Sequence, residues 1–306
     1  MQGVRRKSVS LVGGKKGGLR ITPIACSGLP GGRKFAQAAN DFQEAEKILD
    51  AKGQMQEGAW VVRFPRTDIK VTIAGEPMPT ALGFGAWAAF KDMGKHTMIM
   101  GDLVLLEKEV NPVISALEEN GLEVTALHNH FFWEEPRIMF MHIGGMGSLT
   151  SLAKGLRLAL DKTATPKSAA AANPEPPLAL DTKLIEKIIG HLGQANGEAF
   201  KITLGREGVK MEGVEVTSSM GLNSRAGFVG TDDKAHVAGD IVMTVKEVNP
   251  VIQTLRKGGI YVVAVHNHML TEEPRVFFLH YWGTGPAEAL AHTVRAAFDL
   301  VKGPVR

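Results

Sequence analysis

Six histidines stand in two copies of one pattern. His128, His130 and His142 occur in "HNHFFWEEPRIMFMH" (128–142), and His266, His268 and His280 in "HNHMLTEEPRVFFLH" (266–280). In a strand, residues i and i+2 point to the same face, so each His-x-His pair projects together while the intervening Asn129 or Asn267 points away. A hairpin turning about Glu135 and Pro136 places His142 opposite His130, with Phe132, Glu134, Ile138 and Phe140 on the same face. Directly opposed Cβ atoms are ~5 Å apart, so three imidazoles converge. The second copy predicts the same cluster from His266, His268 and His280, with Glu272. Three converging imidazoles suit zinc at ~2.0–2.1 Å, with a fourth position left for water, substrate or a carboxylate. Iron, manganese, nickel or copper also accept such a set, especially where Glu134 or Glu272 joins it. A single His-x-His on a half-exposed sheet is explained as an amphipathic residue. A third histidine on the neighbouring strand, found twice, favours a divalent metal.

Glu134, Glu135 and Arg137, with Glu272, Glu273 and Arg275, are the catalytic candidates. A glutamate beside a metal can act as general base, and an arginine can hold a carboxylate or phosphate through two parallel hydrogen bonds. The plainer reading of Glu135–Arg137 and Glu273–Arg275 is an ion pair at the tip of the turn, which contributes little. Asp102 and Asp240 follow glycines and are read as strand-end caps or turns, and Asn111 and Asn249, each before proline, as helix caps. His96, His191, His236 and His292 have no counterpart in the other copy and are assigned to surface or local packing.

Several familiar chemistries are not supported. The literal "HNH" is not the nuclease motif of that name, whose residues spread over tens of positions around a basic cleft. The glycines of "ALGFGAWAAF" are followed by no Lys-Ser/Thr, no G-x-G-x-x-G is present, and neither is a G-x-S-x-G elbow.

The elements that must position the histidines follow from self-similarity. Residues 101–142 and 239–280 align without a gap at an offset of 138, with 23 identities in 42 positions. Upstream, "AEKILDAKGQ" (45–54) matches "IEKIIGHLGQ" (185–194) at an offset of 140. The chain is a tandem duplication, read as a basic flexible N-terminal tail (1–40), repeat 1 (41–162), a Pro/Ala-rich semi-rigid linker (163–180) and repeat 2 (181–302). Each repeat opens with an amphipathic helix capped at Asp41 or Asp181. Strands follow around "AWVVRFP", "IKVTIAG" and "HTMIMGDLVLL", then a helix from Asn111-Pro112 to Gly121, the histidine hairpin, and a closing helix capped by Ser148. Helices mixed with hairpins, rather than regular βαβ alternation, predict an α+β fold whose two repeats pack on each other about a pseudo-two-fold axis.

Composition agrees with a folded globular chain: 44% apolar and 22% charged. The formal charge of +3 hides eight basic and no acidic residues in 1–40, which leaves the rest at −5. An acidic body argues against a nucleic-acid groove. No apolar run reaches the ~18–20 residues of a membrane helix. The stretch "RRKSVSLVGGKKGG" lacks the apolar segment of a secretory signal, and Cys26, the only cysteine, lacks that of a lipoprotein. One cysteine makes neither an intramolecular disulfide nor a cysteine-based metal site.

"EVNPVI", "ALHNH", "EEPR" and "FMHIGGMG", each returning in related form in the second copy, resemble the LppY/LpqO family of bacterial proteins over roughly residues 41 to 302. That family includes mycobacterial lipoproteins, so the resemblance implies an exported or envelope location beside the default cytoplasmic one. It supplies no activity. The residues themselves lead to a metal-binding protein with one three-histidine site per repeat, a metal-dependent hydrolase or oxidoreductase acting on a small molecule. The rivals are a non-catalytic metal-binding module of the envelope, and a metal-free cleft for a small apolar or carboxylate ligand.

Overall fold

A computed structural model describes residues 34–166 and 178–305, with side chains from residue 42 onward. The first repeat runs α1 (Lys34–Leu49), β1 (Gly53–Gln56), β2 (Ala59–Pro65), β3 (Val71–Ile73), β4 (Glu76–Met78), β5 (Gly85–Asp92), β6 (Thr97–Leu106), α2 (Val110–Glu119), β7 (Glu123–His128), β8 (Glu134–Glu135), β9 (Ile138–Gly147) and α3 (Leu149–Leu160). The second repeats the order, with an isolated bridge at Glu273 in place of β8, as α4 (Thr182–Ile189), β10 (Gly193–Asn196), β11 (Ala199–Gly205), β12 (Lys210–Met211), β13 (Val214–Glu215), β14 (Asn223–Gly230), β15 (Ala235–Thr244), α5 (Val248–Lys257), β16 (Tyr261–His266), β17 (Val276–Gly285) and α6 (Ala287–Asp299). Each repeat builds a six-stranded antiparallel sheet, β1-β2-β5-β6-β9-β7 and β10-β11-β14-β15-β17-β16. The fold is α+β and duplicated.

Period-two alternation sorts the side chains of β6. Ile99, Leu103 and Leu105 share a core with Leu152 and Leu156 of α3, while Met98 and Met100 pack against Val242 and Phe278 of the other repeat. Helices therefore cover the outer face of each sheet, and the inner faces meet. Each large side chain buried there contributes about 1.5–3 kcal/mol, enough to fix the mutual docking of the repeats. Polar clasps set its register: Thr125 Oγ1 donates to the His268 carbonyl at 2.7 Å, Asn267 Nδ2 to the Thr125 carbonyl at 2.9 Å, and the Ser219 amide to Glu57 Oε2 at 2.7 Å.

Local expectations hold in part. Asp181 caps α4 by accepting from the Leu184 amide, and Ser148 caps α3 by accepting from the Ser151 amide. Asp41 does not start a helix, because α1 begins at Lys34 and runs through it. The proposed tail is thus helical over 34–40; residues 1–33, with Cys26, and linker residues 167–177 lie outside the described residues. Asn111 and Asn249 are not caps. Helices α2 and α5 are preceded by Glu109 and Glu247, whose carboxylates accept from the Leu106 and Thr244 amides and also hold buried arginines. Arg66, fully buried, pairs with Glu109 at 2.8 Å and Asp68 at 2.9 Å; Arg206 pairs with Glu247 at 2.7 Å.

The strand read around "IKVTIAG" is present but short, β3 over Val71–Ile73. Ala74 and Gly75, at φ 51° and 82°, turn the chain between β3 and β4 with both central residues left-handed, the geometry that matches hairpin twist. Strand β5, unread in the alanine-rich "GAWAAFKD", fills the place between β2 and β6. Alanine has little intrinsic preference for strands, but tertiary burial decides here: Ala86 and Ala88 lie in the core of repeat 1 and Ala89 in the cluster between the repeats.

Candidate metal centre

The histidine segment is not a simple hairpin. Strand β7 stops at His128, paired with Phe140, and the same register sets His142 opposite Ala126 rather than His130; a shift follows further along, between Val124 and Ala126. Strand β8 leaves to pair with β3. His130 therefore sits in a loop, which Asn129 closes by donating from Nδ2 to the Phe131 carbonyl at 2.8 Å; Asn267 does the same to the Met269 carbonyl at 2.9 Å. The loops return both second histidines to the cluster, each stacked on a phenylalanine of its own repeat: His130 on Phe140 and His268 on Phe278, both at 3.3 Å.

The two triads are not separate. His128 stacks on His266 at 3.8 Å, His130 on His280 at 3.6 Å and His142 on His268 at 3.8 Å, so every ring of one repeat lies on a ring of the other. The expectation of one independent site per repeat gives way to one cluster on the pseudo-two-fold axis. Two of its three possible ligand groups cross the repeats, and the third lies within repeat 2. His128, His130 and His280 bring one ligand atom each within 4.8 Å of one another, as do His128, His142 and His266, and as do Asp240, His266 and His268. These buried groups could hold a metal ion.

Asp102 and Asp240, read from the sequence as strand-end residues, lie within β6 and β15 directly opposite His142 and His280. Asp240 Oδ2 is 3.3 Å from His268 Nε2, and Asp102 Oδ2 is 4.0 Å from His130 Nε2. The glycines before them are steric requirements. A Cβ at Gly101 would come within 2.6 Å of the Trp87 carbonyl, and one at Gly239 within 2.0 Å of the Arg225 carbonyl. Their own carbonyls accept from Nδ1 of His142 at 3.3 Å and of His280 at 3.1 Å. A carbonyl only accepts, so the proton is on Nδ1 and each Nε2 presents a lone pair, the outer-shell arrangement that aims a ligating imidazole.

Burial keeps the imidazoles of the cluster neutral. Burial, with Arg225 adding to it, pushes His128 down to about 4; burial also holds His130, His142, His266, His268 and His280 below the ordinary histidine value, and for these five neighbouring imidazoles add to the effect. Burial also pushes Asp102 up to about 7 and raises Asp240. Neutral imidazoles are the form that binds metal. Nε2 of His142, His268 and His280, both nitrogens of His266, Nδ1 of His128 and Oδ1 of each aspartate have no hydrogen-bond partner among the described residues.

Glu134 and Glu272 are buried but belong to none of the ligand groups. They face Arg137 at 3.9 Å and Arg275 at 3.2 Å, and burial raises both. Glu135 and Glu273, each joined by a cis peptide bond to the following proline, are exposed. Arg137 and Arg275 are also exposed, the latter donating to the Leu270 carbonyl. The carboxylates near the histidines are thus Asp102 and Asp240, which the duplicated "GD" signalled. Arg225 and Lys201, which line a small cavity beside His130 and His280, were hidden from a comparison of repeats because neither is duplicated. Of the unmatched histidines, His236 is buried, bonded to Thr284 Oγ1 at 3.0 Å and stacked on Trp282; His96, His191 and His292 are exposed.

No helix among the described residues is long and apolar enough to cross a membrane. No curated protein matches the chain. Two solved structures align over 82% of this chain and 90% of their own. One is a trimeric bacterial microcompartment shell protein, PduB, at 12% identity and a TM-score of 0.21; the other is EtuB from Clostridium kluyveri, at 10% and 0.20. The family described as "Domain of Unknown Function (DUF1259)" matches residues 43–162 and again residues 183–300, one match on each repeat, and the chain belongs to that family.

Proposed function

We propose that this is a metal-binding protein whose centre is a single histidine and aspartate cluster completed by both repeats, and that it acts as a metal-dependent enzyme on a small molecule. The observation that carries the reading is the set of buried, neutral imidazole nitrogens and aspartate oxygens that face one another without hydrogen-bond partners. Leaving such groups unpaired costs about 1–3 kcal/mol each, a cost that a bound cation removes. Nitrogen donors with a carboxylate favour zinc first, with iron, manganese, nickel and copper as other divalent candidates. His128 and His130 with His280 form one ligand group, and His266 and His268 with Asp240 another.

A metal bound there supplies Lewis acidity toward a substrate oxygen, the chemistry of a hydrolase or oxidoreductase. The chain's own residues do the remainder. Gly101 and Gly239 orient His142 and His280, the loops closed by Asn129 and Asn267 orient His130 and His268, and Asp102 and Asp240 offer Oδ1 to hold a proton. The sheet-to-sheet packing excludes bulk water. Resemblance to the LppY/LpqO family adds an envelope location to this reading.

Elemental analysis of protein purified without a histidine tag tests it. At least one equivalent of a single first-row metal is expected, lost on His128→Ala together with His266→Ala. Protein that stays metal-free when offered zinc, iron, copper and nickel contradicts it. A second reading, a metal held without catalysis, is favoured by the near-complete burial of the cluster. Rapid exchange of the metal with no turnover of any small ester, amide or alcohol would select it.

A further inference from the structure

The repeats agree on the histidines and disagree beside them. Strand register makes Val61 and Trp87 the counterparts of Lys201 and Arg225. On the sheet of repeat 1 the Trp87 ring closes over Gly221, where an added Cβ would meet it at 3.1 Å, and Val61, Ala89 and Met100 join a buried apolar cluster. On the sheet of repeat 2, Gly227 and Ala238 stand in place of Ala89 and Met100. Space remains there: a cavity of about 20 Å³ lined by Arg225, Lys201, His130 and His280.

Two half-buried cations side by side on such a space attract an anion. The side chains of Arg225 and Lys201 make no ion pair or hydrogen bond among the described residues; Asp240, across the strand from Arg225, does not close a pair with it. Lys201 and Arg225 are diagonal neighbours on one face, since Lys201 pairs with Gly227, two residues from Arg225. We propose that this cavity is a carboxylate-binding subsite, in which Arg225 and Lys201 take the carboxylate of a small ligand whose remainder reaches the His128, His130 and His280 group. The inference rests on the metal reading for what the ligand reaches, and on geometry alone for the subsite. Guanidinium presents a planar fork that fits two carboxylate oxygens, and ammonium adds a point charge. The volume suits one or two water-sized groups, since about 10–15 Å³ of such space holds one water. That is the size of a carboxylate head rather than of a sugar or a base. Burial, with Arg225 and Arg63 nearby, pushes Lys201 down to about 8, which still leaves it charged near neutrality.

Acetate, titrated by calorimetry into zinc-loaded and metal-free protein, provides the test, with Arg225→Gln, Lys201→Met and Arg225→Lys compared after thermal melts confirm that each folds. Saturable binding is expected in the native chain, weakened about tenfold or more by Arg225→Gln and by Lys201→Met and partly kept by Arg225→Lys. Equal binding in all folded variants, or none in the native chain, overturns the subsite. Inorganic phosphate binding more tightly than acetate through the same residues overturns the carboxylate assignment. Acetate binding that depends on Arg225 in a chain that takes up no zinc upholds the subsite and removes the metal reading; zinc uptake without an acetate response does the reverse.

Discussion

Repeat 1 and repeat 2 place the same row across their sheets, with one substitution. In repeat 1 it reads Trp87, Asp102, His142; in repeat 2, Arg225, Asp240, His280. The aspartates and histidines are held alike, by duplicated glycines and duplicated backbone bonds. The flanking position decides whether the space beside the cluster is filled by indole or left open beside a cation. The histidines and aspartates are common to both halves, and the cavity, lined from both repeats, lies beside the cation of repeat 2.

Acid should produce the largest effect, and it tests what the repeats share. His128, with an ordinary value of 6.5, is held to about 4 in the fold, and the other five cluster histidines are also lowered. The unfolded chain then binds more protons, so stability falls as pH drops from 6.5 toward 4, by about 1.4 kcal/mol per pH unit for each histidine kept neutral. Asp102 and Asp240, raised by burial, work in the opposite direction and offset part of this. Metal-free protein should therefore unfold in acid, in one transition, since each repeat supplies half the rings. Two separate acid transitions by circular dichroism would break the comparison.

The buried arginines come next. Arg66→Met leaves Glu109 in a dry site, and removal of one partner of a buried pair costs about 3–5 kcal/mol. Arg206→Met should cost less, because the Glu247 side chain is 20% exposed against 5% for Glu109. Urea unfolding of both variants measures the difference; equal losses would mean that exposure of the partner does not matter here. Smaller still, Trp87→Ala should lose about 2 kcal/mol or more through the cavity it creates. Arg225→Ala, which breaks no pair, should change stability by under about 0.5 kcal/mol.

The duplication, the α+β class and the six histidines were legible because a repeat of 23 identities in 42 positions records the architecture directly. The meeting of the triads was not. A hairpin rule places His142 against His130, but β7 ends at His128 and β8 leaves to pair with β3, a long-range event with no local signature. Glu134 drew attention through its nearness in sequence, while Asp102 reaches the cluster through β6, on the other side of β9. Arg66 and Arg206 recur at an offset of 140, as do Val61 and Lys201, so the signal for the first pair lay in the sequence and that for the second lay in its failure to repeat.

Whether the repeats share one centre is decided by the metal content of a variant altered in repeat 1 alone. His128→Ala with His130→Ala removes ligands from both groups that cross the repeats and leaves His266, His268 and His280 intact. The shared centre predicts that this variant, folded by circular dichroism, loses nearly all of the metal found in the native chain. Retention of half would show two independent sites and contradict the account.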